Sequence, residues 1–311
     1  MMENDSRERT QSSRSASVRT KKGLSSRRQR PVDYVDPMIG TDETHFISQW
    51  RSEAGTYPGA VAPHGMVQMS PETSDDKDFL RGYYYWQDVI RRFSMTEHFS
   101  GWPNGSAGKG FMMPCALTSD GGEGASSNFE SRFSHDNETA EAGYYSVYLS
   151  DSRIRCSFAA KTRSIIGRFA YERAGKYIVA LSDFDTFELV SDREVALSCA
   201  AGRPDLGKSN AKIYLHLVFD REFEAATLDK KHILTFPSLA HDDNSLSFKY
   251  GGSYTSAVNA KHNLESEIPH WNFEGVKEDA KNLWDTELSR IEVEGGTEEN
   301  KTIFHTAFYH S

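Results

Sequence analysis

Closely spaced aromatic and polar side chains occupy a turn-rich run at residues 81–113. A sugar-binding site needs flat apolar faces for the C–H side of a pyranose, and it needs donors and acceptors for the hydroxyl groups. The run supplies both, in Trp86, His98, Ser100, Trp102 and Asn104, and therefore predicts a carbohydrate site. In the alternative interpretation, the aromatic residues close one end of the fold and His98 is a hydrogen-bonded core residue.

Two acidic clusters are weaker candidates. Asp183 and Asp185 would share one face of a strand and would then resemble an acid–base pair or half of a calcium site. A solvated strand end is the favoured interpretation, because no EF-hand loop accompanies them. Residues 241–244 are favoured as a turn. The sequence contains no GxSxG, Walker or HExxH motif, so serine-hydrolase, nucleotide and zinc-protease chemistry have no support.

The charge distribution bears on the class of partner. The chain has 311 residues and a formal net charge of −9. Nine of the first thirty residues are Lys or Arg and three are Asp or Glu, so the remainder is more acidic than the whole. An acidic body argues against nucleic acid and against an anionic membrane as partners. No apolar run approaches the roughly 20 residues that span a bilayer.

The N-terminal segment and the cysteines have simple interpretations. Residues 1–30 carry charge and Ser but no apolar run, so we expect a disordered basic tail and find no visible signal peptide. Cys115, Cys156 and Cys199 are odd in number and far apart. This spacing predicts free buried thiols, because it suggests neither a disulfide framework nor a zinc site.

Hydrophobic periodicity predicts a mainly β protein. Turn formers dominate residues 31–128, so only short elements fit there. Apolar residues then alternate with polar ones at residues 145–149, 154–158, 177–181, 195–199, 213–219 and 246–250. Many short alternating strands with no crossover helices between them predict an antiparallel β-sandwich over residues 31–269.

The period changes to that of a helix after Pro269. Apolar residues recur on one helical face at Phe273, Val276, Ala280, Leu283, Trp284, Leu288 and Ile291, which predicts a linker helix within residues 270–294. Thr297 is a plausible N-cap for a second helix within residues 295–311. The sequence stops inside that helix, whose apolar Ile303, Phe304, Ala307 and Phe308 need a packing partner, so we expect a chain that has been cut short.

Five segments resemble glycoside hydrolase family 92 in the same order along the chain. They are VDPMIGT at 35–41, AGTYPGAVAPHGMVQMSPET at 54–73, GYYYW at 82–86, FSMTEHFSG at 93–101, and the segment from Glu287 to Ser311. Members of this family are mostly calcium-dependent, inverting exo-α-mannosidases. The resemblance implies an N-terminal β-supersandwich joined by a helical linker to an (α/α)6 barrel, of which this chain would contain only the first helix.

The resemblance also has implications for individual residues. It assigns part of a sugar subsite to Trp86, His98, Ser100, Gly101 and Trp102. It assigns no catalytic residue and no metal ligand to this chain, because the general acid, the general base and most calcium ligands belong to the barrel in this family.

Three departures from the family pattern put the subsite in doubt. Glu97 is inserted before His98, Lys109 stands where a Gly-Asp pair is common, and His64 replaces the usual aromatic residue. Any of these changes would alter the chemistry or the geometry of the sugar subsite.

Three hypotheses about function remain open. The chain is the N-terminal part of an enzyme that releases terminal α-linked mannose from N-glycans or mannan, and it is inactive without the helical domain. Alternatively, it is a non-catalytic carbohydrate-binding module. A decaying gene product with no selected function is the third hypothesis. The resemblance also implies an extracytoplasmic location.

Overall fold

The computed structural model describes residues 29–42, 56–74, 82–96, 110–117, 129–173, 175–201, 211–228, 230–239 and 244–311. In chain order the strands are β1 (Ala60–Val61), β2 (Gln68–Glu72), β3 (Val89–Ile90), β4 (Arg92–Ser94), β5 (Phe111–Leu117), β6 (Ser131–Arg132), β7 (Glu138–Glu141), β8 (Tyr144–Leu149), β9 (Ile154–Ala160), β10 (Ser164–Tyr171), β11 (Gly175–Ser182), β12 (Thr186–Leu189), β13 (Glu194–Ala200), β14 (Lys212–Phe219), β15 (Glu224–Leu228), β16 (Lys231–Leu239) and β17 (Ser245–Ser253). The α-helices are α1 (Ala257–Glu267), α2 (Phe273–Leu288) and α3 (Glu298–Tyr309), and two short 3-10 helices lie at Pro31–Tyr34 and His135–Asn137.

The strands form two large antiparallel sheets. The first contains seven strands in the order β1-β2-β4-β5-β11-β16-β15, and the second contains eight in the order β12-β13-β14-β17-β10-β9-β8-β7. A small ribbon pairs β3 with β6. Every paired strand runs antiparallel to its neighbour. The predicted mainly β, antiparallel sandwich is therefore confirmed, and the strands before residue 111 are short, as the turn-rich sequence indicates.

The core lies between the two sheets and is built from the predicted alternating positions. Residues 145, 147, 149, 154, 156, 158, 177, 179, 181, 195, 197, 199, 213, 215, 217, 219, 246, 248 and 250 are all buried. Aromatic rings meet at its centre, where the rings of Phe169 and Phe248 lie 5.0 Å apart and Phe158 packs against both. One face of each strand that carries these residues is thus removed from water, which fixes the register of those strands.

The three cysteines are free and buried, as predicted. Burial raises the pKa of Cys115 to about 12 and raises that of Cys156 well above its usual value. Thiols that stay protonated are poor nucleophiles and poor metal ligands. These residues therefore act as small core side chains.

The C-terminal helices pack on the second sheet and on its neighbours. The α1 helix covers β17 and β14, α2 covers β9 and β10, and α3 contacts α2 and the first 3-10 helix. The linker helix is confirmed as α2, which ends at Leu288, three residues before Ile291. The second predicted helix is α3, and the Thr297 hydroxyl caps it by accepting a hydrogen bond from Asn300 N. No helix in the described part of the chain is long and apolar enough to span a bilayer.

The α3 helix packs by a face other than its apolar stripe, which was expected to need a packing partner. Its buried residues are His305, Thr306 and Tyr309, whereas Ile303 is 53% exposed. The reason is local, because Tyr309 packs on Trp284 and Thr306 accepts a backbone hydrogen bond from Asp36. The helix therefore docks through aromatic and polar contacts rather than through its most apolar stripe.

A close approach between α1 and β17 requires glycine at position 251. A Cβ there would lie 2.4 Å from Ala260 O and 2.8 Å from Leu264 N, both backbone atoms that cannot rotate away. We expect Gly251→Ala to lower the free energy of unfolding by about 1–3 kcal/mol, as overpacking of a tight interface does. Urea denaturation measures this change. Ser245→Ala on the same strand is the control, and equal midpoints for the two variants would refute the packing argument.

Candidate functional site

Trp86 is the one predicted site residue that falls within the described residues. Its side chain is 57% exposed and tilts against Tyr84, with the ring centroids 5.9 Å apart. His98, Ser100, Gly101 and Trp102 lie outside the described residues. The structure therefore places Trp86 at the surface with an apolar face open to solvent, and the other four assignments stay predictions.

Trp86 belongs to a tightly held segment, residues 82–86, which we call the aromatic turn. Gly82 O accepts hydrogen bonds from Thr73 N at 3.0 Å and from Ser74 N at 3.1 Å. The turn is also fixed through Tyr85 N, which donates to Thr41 O at 3.0 Å. Main-chain bonds to two separate segments hold the turn against the end of β2, so the position of Trp86 is set by its backbone.

The four aromatic residues of the turn divide between the two predicted roles. Tyr83 and Tyr84 are buried and close the end of the sandwich, whereas Tyr85 and Trp86 are exposed. The interpretation of the aromatic residues as core is thus confirmed for Tyr83 and Tyr84, and the carbohydrate site stays a prediction. The exposed pair provides the flat apolar surface that a sugar ring requires.

The connection at residues 97–109, which carries the other four predicted residues, begins and ends at one place. Met95 N donates to Gly110 O at 2.9 Å, and Ser94 pairs with Phe111. The aromatic turn is anchored at the other end of β4, where Glu72 pairs with Arg92. The residues that flank this connection therefore meet at one end of β4, and the aromatic turn is anchored at the other.

A cleft of about 360 Å³ lies between residues 57–65 and the C-terminal ends of α2 and α3. It is lined by Tyr57, Val61, Ala62, Pro63, His64, Gly65, Trp284, Glu287, Leu288, Phe308, Tyr309, His310 and Ser311. Its walls are aromatic and apolar with a few polar groups, which is the usual make-up of a small-molecule site.

Two residues that line the cleft each have a buried polar atom, Tyr309 OH and His310 Nε2, that finds no hydrogen-bond partner among the described residues. Burial raises the pKa of Tyr309, and it lowers the pKa of His310 against the opposing effects of Ile39 and Asp36. Both groups are therefore neutral near pH 7. A neutral phenol and a neutral imidazole can each donate or accept, so they suit an uncharged ligand rich in hydroxyl groups.

Glu287 and His64 form the rim of the cleft. His64 Nε2 lies 4.0 Å from Glu287 Oε2, and the His64 side chain is largely exposed, with its backbone at a positive φ of 52°. Arg290 Nε lies 2.9 Å from the same carboxylate oxygen. The rim therefore offers an acceptor and an exposed imidazole where the family resemblance leads one to expect an aromatic residue.

The walls of the cleft are joined by a buried hydrogen bond. Trp284 Nε1 on α2 donates to Val61 O at 2.7 Å, and the Tyr309 ring lies 4.3 Å from that of Trp284. Both rings are buried. This contact sets the distance between the sandwich and the helices, and with it the width of the cleft.

The described residues do not fit a calcium site. Among them, no three or more His, Cys, Asp or Glu side chains gather closely enough to hold a metal ion, whereas Ca²⁺ takes six to eight oxygen ligands. Asp183 and Asp185 do not share a strand face, because they lie in the connection between β11 and β12. Asp183 instead faces Arg92, at 3.8 Å from Nη1.

Sequence reasoning missed the residues of the cleft. Tyr57, Glu287, Tyr309 and His310 come from segments more than 220 residues apart, so no spacing links them. The one local signal for the cleft was the pair Tyr309-His310 in a predicted helix. The apolar pattern of that helix, α3, indicated a different face.

Two family models match the chain. The glycosyl hydrolase family 92 N-terminal domain matches residues 34–264, and the glycosyl hydrolase family 92 catalytic domain matches residues 259–311. No match was found among curated proteins.

Solved structures with the same fold include a family GH92 α-mannosidase from Bacteroides thetaiotaomicron, at 21% identity and a TM-score of 0.74, covering 92% of this chain and 41% of that one. A family GH92 inverting mannosidase from the same organism has 23% identity and a TM-score of 0.74, with 92% and 40% covered. The first enzyme in complex with mannoimidazole has 21% identity and a TM-score of 0.73, with 91% and 40% covered. The chain thus spans about two fifths of their length.

The buried bond between Trp284 and Val61 is open to test. We expect Trp284→Phe to destabilise the fold by about 1–3 kcal/mol, because the Val61 carbonyl loses its donor while the aromatic packing on Tyr309 is largely kept. The urea midpoint measures the loss. Trp271→Phe, at an exposed tryptophan, is the matched control. The assigned role of the bond is wrong if the two variants unfold at the same urea concentration.

Proposed function

The chain belongs to glycoside hydrolase family 92, and from this premise we propose that it is the N-terminal part of an inverting exo-α-mannosidase. The enzyme removes terminal α-linked mannose from N-glycans or mannan-type carbohydrate. The chain supplies part of the sugar subsite, and the helical catalytic domain supplies the hydrolytic groups.

The observation that carries this proposal is the chemistry of the cleft. Its residues Tyr309 and His310 are neutral, and each has a buried polar atom with no hydrogen-bond partner in the described part of the chain. Its walls include the rings of Tyr57, Trp284 and Phe308. Mannose is uncharged, with hydroxyl groups on a ring that has an apolar face. Pairing a sugar hydroxyl with either orphaned atom satisfies a group that is otherwise costly to bury.

The proposal assigns complementary roles to the aromatic turn and to the loop at residues 97–109. Trp86 offers an exposed apolar face on a fixed backbone. By resemblance to the family, Trp102 supplies a second stacking face, and His98, Ser100 and Gly101 supply hydrogen bonds to sugar hydroxyls. A terminal mannose would occupy the cleft.

Hydrolysis with inversion requires a general acid and a water-activating base about 6.5–9.5 Å apart. Glu287 is the one acidic side chain among the described residues that line the cleft. A single carboxylate cannot fill both roles, so no catalytic residue is assigned here. We expect this 311-residue chain to have no mannosidase activity by itself.

Calcium enters the proposal only through the family. The ion would be held by ligands other than the described residues, which do not fit such a site. When bound, a divalent cation would polarise and orient the hydroxyl groups of the sugar. The residues of this chain contribute hydrogen bonds and aromatic surface beside it.

A non-catalytic carbohydrate-binding module is the second candidate function. The observation in its favour is that Trp86 is exposed on a turn held by main-chain hydrogen bonds. Preorganised aromatic surface of this kind lowers the entropic cost of binding. This function predicts mannoside affinity without hydrolysis even in an intact longer protein, whereas the enzyme predicts turnover there.

Calorimetric titration of the chain with an α-mannoside disaccharide tests the sugar subsite. We expect weak binding that Tyr309→Phe reduces by roughly 2–10-fold, the loss for one hydrogen bond worth about 0.5–1.5 kcal/mol. Trp86→Ala and Trp102→Ala should each weaken binding as well, because each removes a stacking face. Trp271→Ala, which changes an exposed tryptophan outside the cleft, is the control and should bind like the unmodified chain.

The same samples, with and without calcium, are assayed for release of mannose. Turnover by this chain would overturn the assignment of catalysis to the helical domain. Binding that is unchanged by Tyr309→Phe, Trp86→Ala and Trp102→Ala would place the sugar elsewhere. Absence of binding at millimolar ligand would show that this chain alone does not form the subsite.

A further inference from the structure

A buried carboxylate supports the aromatic turn from below. The Glu138 side chain is 2% exposed. Its Oε1 accepts a hydrogen bond from Tyr145 OH at 2.5 Å, and its Oε2 accepts from Tyr83 OH at 2.8 Å and lies 2.7 Å from His135 Nδ1. Three donors around one carboxylate offset the cost of burying its charge.

The second ring nitrogen of His135 also faces an acceptor. His135 Nε2 lies 2.6 Å from Tyr85 O, in the aromatic turn. A carboxylate and a carbonyl can only accept, so both ring nitrogens must carry hydrogen for both bonds to form. The geometry is that of an imidazolium, which joins the buried carboxylate to the backbone of the turn.

The ring of His135 also packs against the turn. It stacks on Tyr85 with the centroids 4.0 Å apart and an interplanar angle of 9°, and Phe133 meets it edge-on at 5.2 Å. Trp86 is the next residue after Tyr85. The Tyr85 carbonyl, next to Trp86, therefore makes a contact that requires His135 to be charged, in addition to the main-chain bonds at Gly82 and Tyr85 N.

We propose that protonated His135 is a positioning residue that clamps the aromatic turn in the conformation presenting Trp86, and that loss of its proton releases the turn. Neutral imidazole keeps one N–H and must give up either Glu138 or the Tyr85 carbonyl. The consequence for sugar binding, weaker affinity as pH rises, rests on the proposed function. The effect on the turn does not.

Several ionisable groups surround His135. Those that face it are Glu138 on β7, Tyr83 and Tyr85 of the aromatic turn, and Asp136 beside it, with Tyr145 of β8 acting through Glu138. Burial, followed by Glu138, raises the pKa of Tyr83 and of Tyr145. Neither phenol therefore ionises near neutral pH.

The pKa of His135 is raised above its usual value, chiefly by the hydrogen bond to Glu138, with partial burial acting in the opposite direction. A group with a raised pKa in the folded state contributes its full stabilisation below the unfolded value of about 6.5. The contribution is lost as pH rises through the raised value. The contacts of His135 with Glu138 and the Tyr85 carbonyl should therefore both be present in mildly acidic solution, and one of them should be lost above neutrality.

The mobility of the Trp86 indole, followed by ¹⁵N NMR relaxation between about pH 5.5 and about pH 9, tests this. The resonance is assigned by its loss in Trp86→Phe. We expect its order parameter to fall from about 0.85 to below about 0.6 as pH rises, at the same midpoint as the His135 ring signals. His262→Gln, which removes an exposed histidine on α1 away from the cleft, should leave this profile unchanged.

Substitutions at position 135 separate charge from packing. His135→Gln should give a mobile Trp86 at every pH, and His135→Arg, which keeps a cation with several donors, should restore order without the pH dependence. If neither variant folds, the titration of the unmodified chain still decides. A Trp86 signal that stays ordered while His135 titrates overturns the proposal. Absence of mannoside binding with an intact Trp86 titration would count against the sugar subsite alone.

Discussion

The hydrogen bond from Trp284 Nε1 to Val61 O is the contact on which the arrangement of sheets and helices depends. It joins α2 to the edge strand β1 across 223 positions of sequence. An edge strand has unpaired backbone groups that need partners, and a buried indole donor satisfies one of them. Tyr309 packs on the same indole, so α2 provides part of the surface on which α3 docks. These contacts leave a space beside Val61, and that space is the cleft.

At the other end of the sandwich, two buried carboxylates likewise accept hydrogen bonds from neighbouring side chains. Glu138 lies among three donors, and Glu72, also buried, accepts from Arg92 Nε at 2.5 Å. A buried carboxylate without partners would cost far more than any single contact returns. Each therefore fixes the side chains that surround it. Because of this constraint, two carboxylates far from the cleft support the surface that carries Trp86.

The sequence predicted the sandwich because one face of each strand is buried, and a two-residue period in apolar side chains follows directly from that. It did not reveal α1, whose buried residues are only Ala260, Asn263 and Leu264. Such a helix leaves too narrow an apolar stripe to detect. The candidate site could be predicted only where residues adjacent in sequence form it, as in the aromatic turn. The cleft joins Tyr57 to Tyr309 through tertiary contacts, and no local period records them.

The turn at residues 36–41 makes the two candidate surfaces interdependent. At one end Asp36 N donates to Thr306 on α3 at 3.0 Å, and at the other Thr41 O accepts from Tyr85 N at 3.0 Å. Both anchors lie within six residues, so one short turn links α3 to the aromatic turn. The wall of the cleft and the segment that carries Trp86 therefore share a support. A ligand that contacts both surfaces would meet a preorganised site, and the entropic cost of forming that site is borne during folding.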